Sequence, residues 1–131
     1  MAPLFLLAAG MALCDSGPRV SCVVDGDTFW LDGEKIRIAD INAPETHGAG
    51  CAAEQVRGDR AALRLVSLLN AGPYELELRG REQDRYGRAL RVVTRHGRSL
   101  GDTLIAEGLA EPWRGKRSDW CTLLAARGGQ R

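Results

Sequence analysis

The most constraining feature of this chain is a single long amphipathic stretch. From Ala52 to Asn70 the pattern is helical, with Ala62, Leu65, Val66 and Leu69 at i, i+3, i+4 and i+7 forming one apolar stripe. Ala71-Gly72-Pro73 stops it. On both sides the apolar residues alternate in short runs cut by glycine, as strands do. Val20 to Val24 reads as a strand ended by Asp25-Gly26-Asp27, and Thr28 to Leu31 as a second. Asp32-Gly33 is a strong hairpin signal. In Lys35 to Ala39, Ile36 and Ile38 would face a core and Arg37 the other side. Asn42 to Gly50 is a loop in which Pro44 restricts its neighbour.

Beyond the helix, Tyr74 to Leu78 alternates again, Gly80 to Gly87 is a polar loop, Ala89 to Thr94 is a strand and His96-Gly97 a turn. Ser99-Leu100-Gly101-Asp102 resembles a capping box opening a short helix, with Leu104 and Ile105 inward and Gly108 closing it. Ser118 would cap a last helix running through Leu124. Three strands, a helix, two strands and two helices, without βαβ alternation, predict an α+β fold. A small, bent five-stranded barrel is one way to bury such strands.

With 131 residues, one domain is expected. A 44% hydrophobic content supplies one core, and 27% charged residues argue against wholesale disorder. The net charge of only +1 excludes a basic protein that coats nucleic acid by bulk attraction, so phosphate binding requires local placement. Among the 18 positive residues only Lys35 and Lys116 are lysines; the rest are arginines, whose planar fork grips phosphate in bidentate fashion.

Met1 to Leu13 carries no charge, is too short to span a bilayer as a helix, and resembles the apolar core of a secretory signal without its positive start. Export, periplasmic or secreted, is therefore expected, with a cytoplasmic location if the leader is no signal. Cys14, Cys22, Cys51 and Cys121 match no zinc spacing. They allow three pairings, and the sequence does not choose among them. Cys51 with Cys121 would tie the C-terminal segment to the start of the long helix.

Three clusters suit chemistry at strand ends. Asp25-Gly26-Asp27-Thr28 is compact and anionic, fit for a hard cation. Arg37 to Glu45 runs from an arginine on a rigid strand into a loop that ends in a carboxylate after Pro44. Asp84-Arg85-Tyr86-Gly87-Arg88 sets arginines and an aromatic around a glycine bend, a pattern for phosphate and base contact. Taken singly, each is also an ordinary turn, strand face or charged hairpin. Taken together they supply a cation site, charge-neutralising donors and a group to orient water, the parts that phosphodiester hydrolysis needs.

The chain resembles a staphylococcal-nuclease-like (thermonuclease) domain. The matching residues are Val24-Asp25-Gly26-Asp27-Thr28-Phe29, then Arg37 through Ala43-Pro44-Glu45, then Asp84-Arg85-Tyr86-Gly87-Arg88, then Leu104-Ile105-Ala106-Glu107-Gly108-Leu109-Ala110, in the family's order. The resemblance implies a five-stranded OB-type barrel with three helices over residues 19–127, behind a leader at 1–13, and a calcium-dependent nuclease acting on DNA or RNA as a monomer. By position, Arg37 and Arg88 would grip the scissile phosphate and Glu45 would act as, or orient, the base. Asp27 would bind calcium, with Asp25 close behind and the Ala43 backbone carbonyl facing the metal. Tyr86 would hydrogen-bond a substrate phosphate, with Arg85 beside it. One position departs: Asn42 stands where the family usually has an aspartate ligand, which predicts weaker calcium binding. Trp113 is the nearest candidate for the family's aromatic substrate platform, whereas Trp120 is expected to pack. The rival reading is a catalytically weakened or inactive barrel that binds nucleic acid or protein, and Asn42 is its only support.

Overall fold

The computed structural model describes residues 10–128. In chain order its elements are β1 (Cys22–Asp25), β2 (Thr28–Leu31), β3 (Glu34–Ile38), β4 (Ile41–Asn42), α1 (Ala52–Asn70), β5 (Glu75–Glu77), β6 (Ala89–Arg95), β7 (Arg98–Ser99), α2 (Leu100–Ala106), β8 (Glu111–Pro112) and α3 (Trp120–Gly128). The expected α+β class holds. Every expected strand and helix is present, and the strands beyond five are β4, β7 and β8. Each of these is two residues long, too short for any alternation to announce it.

The main sheet runs β1-β2-β3-β6-β5, with β7 paired to β6, and β4 pairs β8 separately. Its β1-β2-β3 meander is antiparallel, and Asp32 (φ 51°) with Gly33 (φ 84°) makes the turn between β2 and β3. β3 and β6 are parallel, with Ile36 opposite Ala89 and Arg37 opposite Leu90. Among the described residues no pairing joins β1 to β5, so the strands are not hydrogen-bonded into a closed ring.

The core is where alternation and helical period put it. Phe29, Ile36, Ile38, Leu65, Val93 and Leu104 are fully buried, and Tyr74 packs edge-on against Phe29 at 6.5 Å. The buried face of α1 is broader than the expected stripe. It runs through Gly58, Ala61, Ala62, Leu65, Leu68 and Leu69, and Val66 sits at its border, partly buried. Ser99 caps α2, its Oγ accepting from Gly101 N, and Gly108 follows the helix in the left-handed region. The cap of α3 is Asp119 rather than Ser118: Asp119 Oδ1 accepts from Thr122 N at 3.1 Å, and the Ser118 hydroxyl turns instead to Glu111. α3 also runs on past Leu124.

All four cysteines pair, Cys14 with Cys22 and Cys51 with Cys121. Most of the apolar leader lies outside the described residues. Its last part belongs to the fold: Val23 N donates to Ala12 O, Cys14 N donates to Val23 O, and Asn70 exchanges two hydrogen bonds with the Met11 backbone. Among the described residues no helix is long and apolar enough to cross a membrane.

Close packing at Gly58 sets the position of the loop after β4. A Cβ there would come within 3.0 Å of the Glu45 carbonyl, far inside normal contact. Alanine is the better helix former by about 1 kcal/mol. Gly58→Ala is nevertheless expected to destabilise the protein, by about 1–3 kcal/mol, because overpacking wins. Chemical denaturation measures this, and a stabilised variant would show that the loop yields freely.

Candidate active site

The Asp25-Gly26-Asp27 turn at the end of β1 brings Asp27 beneath the loop after β4. Asp27 Oδ2 accepts from Ala43 N at 2.8 Å and its Oδ1 from the Thr28 hydroxyl at 2.9 Å. Arg37 projects from β3 away from Ile36 and Ile38, as the alternation requires. That face, however, is not solvated: Arg37 is 6% exposed. Its Nη1 donates to the carbonyls of Ile38 and Ile41 and lies 3.6 Å from Asp27 Oδ2. The reason is β8, which pairs with β4 and swings Trp113 across the guanidinium, 5.2 Å from ring centroid to Cζ. The alternation placed Arg37 outside the core; it is a buried charge whose Nη1 is held by two backbone carbonyls.

Glu45 begins the turn toward α1. Its N–H is held by Glu54, a buried carboxylate in the first turn of α1 that also accepts from Gly50 N. Its own carboxylate is ion-paired to Arg117 from the segment before α3. Burial pushes the Glu45 carboxyl above the usual glutamate range; Arg117 opposes this, and the charges of Asp25 and Asp27 add to it. Arg117 is held more firmly protonated: burial works against the charge, but the Glu45 pairing and the fields of Asp27 and Asp25 outweigh it. Asp25, Asp27, Glu45 and Arg117 thus form one electrostatic neighbourhood.

As arranged, many of the side-chain oxygens in this pocket are already engaged within the protein. Asn42 is fully buried, and hydrogen bonding fixes its amide with the oxygen accepting from Ser118 N (3.2 Å) and Trp120 Nε1 (3.1 Å). Two donors fill both lone pairs of that oxygen. In this structure the Asn42 amide oxygen, expected to face a metal, instead fastens the chain leading into α3. Asp25 Oδ1 takes both the N–H and the hydroxyl of Thr46. Among the described residues, no three His, Cys, Asp or Glu side chains converge well enough to hold a metal.

Arg88 ends the loop before β6. Asp84 organises it, accepting from Arg88 Nε at 2.6 Å and from the N–H groups of Arg88 and Tyr86. Burial would raise the Asp84 carboxyl, but these bonds hold it below its ordinary range. Tyr86 is exposed, with the guanidiniums of Arg85 and Arg88 at 5.0 and 5.5 Å from its ring centroid. Arg88 precedes Ala89, which sits opposite Ile36 on the core side. Alternation therefore turns Arg88 onto the sheet face that carries Arg37. The two arginines share a face, Arg37 buried beside Asp27 and Arg88 held by Asp84.

The family model described as staphylococcal nuclease homologue matches residues 35–122. The chain belongs to this family. With the family comes its OB-type α+β architecture, which the strand order and three helices bear out. The endonuclease YncB of Bacillus subtilis (strain 168) is 37% identical over 92 residues, covering 66% of this chain and 43% of that protein. The SPbeta prophage-derived endonuclease YokF of the same organism is also 37% identical over 92 residues, covering 66% of this chain and 31% of its own length. The micrococcal nuclease of Shigella flexneri is 34% identical over 96 residues, 70% of this chain and 50% of that one. The chain thus spans half or less of the length of these curated relatives.

Glu54 and Arg117 escaped the sequence reading. Glu54 had a signal: it stands three residues after Cys51, the N-cap of α1, where a capping-box glutamate would be. Arg117 had none, being one arginine among many in a segment without periodicity.

Proposed function

We propose that this chain is a nuclease that hydrolyses phosphodiester bonds of DNA or RNA, cutting internally. One observation carries the reading: a half-buried carboxylate with a raised pKa, Glu45, lies in the pocket that Arg37 borders, with Arg88 on the same sheet face. Attack of water on a phosphodiester needs an acceptor for the proton released and positive donors for the charge that gathers on the phosphoryl oxygens. Glu45 is placed to take the proton, and Arg37 and Arg88 to stabilise the oxygens with paired N–H donors. Tyr86 and Arg85, exposed beside Arg88, suit contacts to the flanking chain. The acidic side chains are engaged with protein donors and with Arg117 as the pocket stands, so no step is routed through a metal. Relatives named endonuclease and micrococcal nuclease support the substrate class. Two disulfides support an oxidising compartment, and hence export.

Incubation with single-stranded DNA and with RNA, each with calcium, magnesium or a chelator, tests the reading. Cleavage to internal fragments by the native protein is expected. The chelator arm decides whether a cation takes part, and intact substrates in every arm would favour the binding-barrel alternative.

A further inference from the structure

Arg117 comes from a segment that would be expected to wander, yet it is fastened at several points. Trp113 N donates to Asp40 O at 3.0 Å, and Ser118 Oγ donates to Glu111 Oε1 at 3.0 Å. The Asn42 amide oxygen accepts from Ser118 N and Trp120 Nε1, and Cys121 is bonded to Cys51 beside α1. The guanidinium so delivered pairs with Glu45, within the fields of Asp27 and Asp25. Three carboxylates are thus met by two guanidiniums, Arg117 and, beside Asp27, Arg37. A hard cation is held largely by the negative charge it meets. Here a positive group already stands among those charges. The residue that forgoes a carboxylate, Asn42, is the one that docks the segment carrying it.

We propose that Arg117 is a resident counter-ion of the acidic pocket, docked by Asn42 and the Cys51–Cys121 bridge, which holds Glu45 and contests the pocket with divalent cations. The proposal rests on the nuclease reading for the identity of the site, but its test does not read activity. Calcium is titrated by calorimetry into the full, oxidised chain and into Arg117→Gln and Arg117→Lys, with thermal melting to verify that each variant is folded. Arg117 is largely exposed, so both should fold. Removing the charge is expected to tighten calcium binding by on the order of tenfold in Arg117→Gln, while Arg117→Lys stays near the native affinity. Equal affinity in all three proteins would overturn the proposal. So would equal tightening in both variants, which would mean the charge is not the cause, and so would the absence of calcium binding in every form. DNA cleavage is measured on the same samples. If none cuts while Arg117→Gln binds calcium more tightly, the nuclease reading fails and the counter-ion stands.

Discussion

Glu45→Gln is expected to slow phosphodiester cleavage by about 10²–10⁴-fold, the usual consequence of losing a general base, while leaving the protein no less stable at neutral pH. The size of the side chain is kept and the charge is removed. The carboxyl is pushed up by burial, with Asp25 and Asp27 adding to the push, and the pairing with Arg117 offsets this only in part. A folded-state pKa above the unfolded value means that the folded protein holds this proton more tightly. The stability contributed by the protonated form is present below the unfolded pKa and is lost as pH rises through the window up to the folded one. At neutral pH the native protein bears that loss, and the glutamine variant does not. The native rate should rise with pH on an acid limb centred above the ordinary glutamate value, since only the carboxylate accepts a proton. Initial rates on single-stranded DNA across that range, beside thermal melts of both proteins, measure all of this. Native-rate cleavage by Glu45→Gln would remove it as the base, and a variant that melts much lower would make Glu45 a structural residue instead.

What the sequence made legible was whatever repeats locally. The period of α1, the alternation through Ile36 and Ile38 and the Asp32-Gly33 turn are set by neighbours a few residues apart, and they appear where expected. The candidate residues were legible as types in order: Arg37 beside Asp27, and Glu45 within reach of both aspartates' fields. Long-range closure was not legible. The two-residue pairing of β4 with β8 is what buries Arg37 under Trp113, and neither strand has a pattern of its own. The same closure redirects Asn42. Its docking role was not legible because the fold-back of Ser118 and Trp120 onto it lies more than seventy residues away in the chain, beyond the reach of any local pattern.

The burial of Arg37 divides the two clamp arginines into residues with different failure modes. Lysine at either position keeps the charge and loses the planar fork. Arg88→Lys is expected to lower the cleavage rate by about 10²–10³-fold, the scale of one lost transition-state donor. Its stability should fall only modestly, by about 1 kcal/mol, because lysine keeps the positive charge beside Asp84 and loses mainly the Nε hydrogen bond. Arg37→Lys should lose as much rate and also destabilise the protein. The Ile38 and Ile41 carbonyls share Nη1 as a donor, and the guanidinium carbon lies 5.2 Å from the Trp113 ring centroid. A lysine ammonium does not reproduce that set, and a buried acceptor left without its partner costs about 1–3 kcal/mol. Steady-state cleavage and chemical denaturation of the two variants separate these effects. Wild-type-like activity in Arg88→Lys would remove it from the clamp, and an unshifted denaturation midpoint in Arg37→Lys would mean that its buried hydrogen bonds contribute nothing to holding β4 against β3.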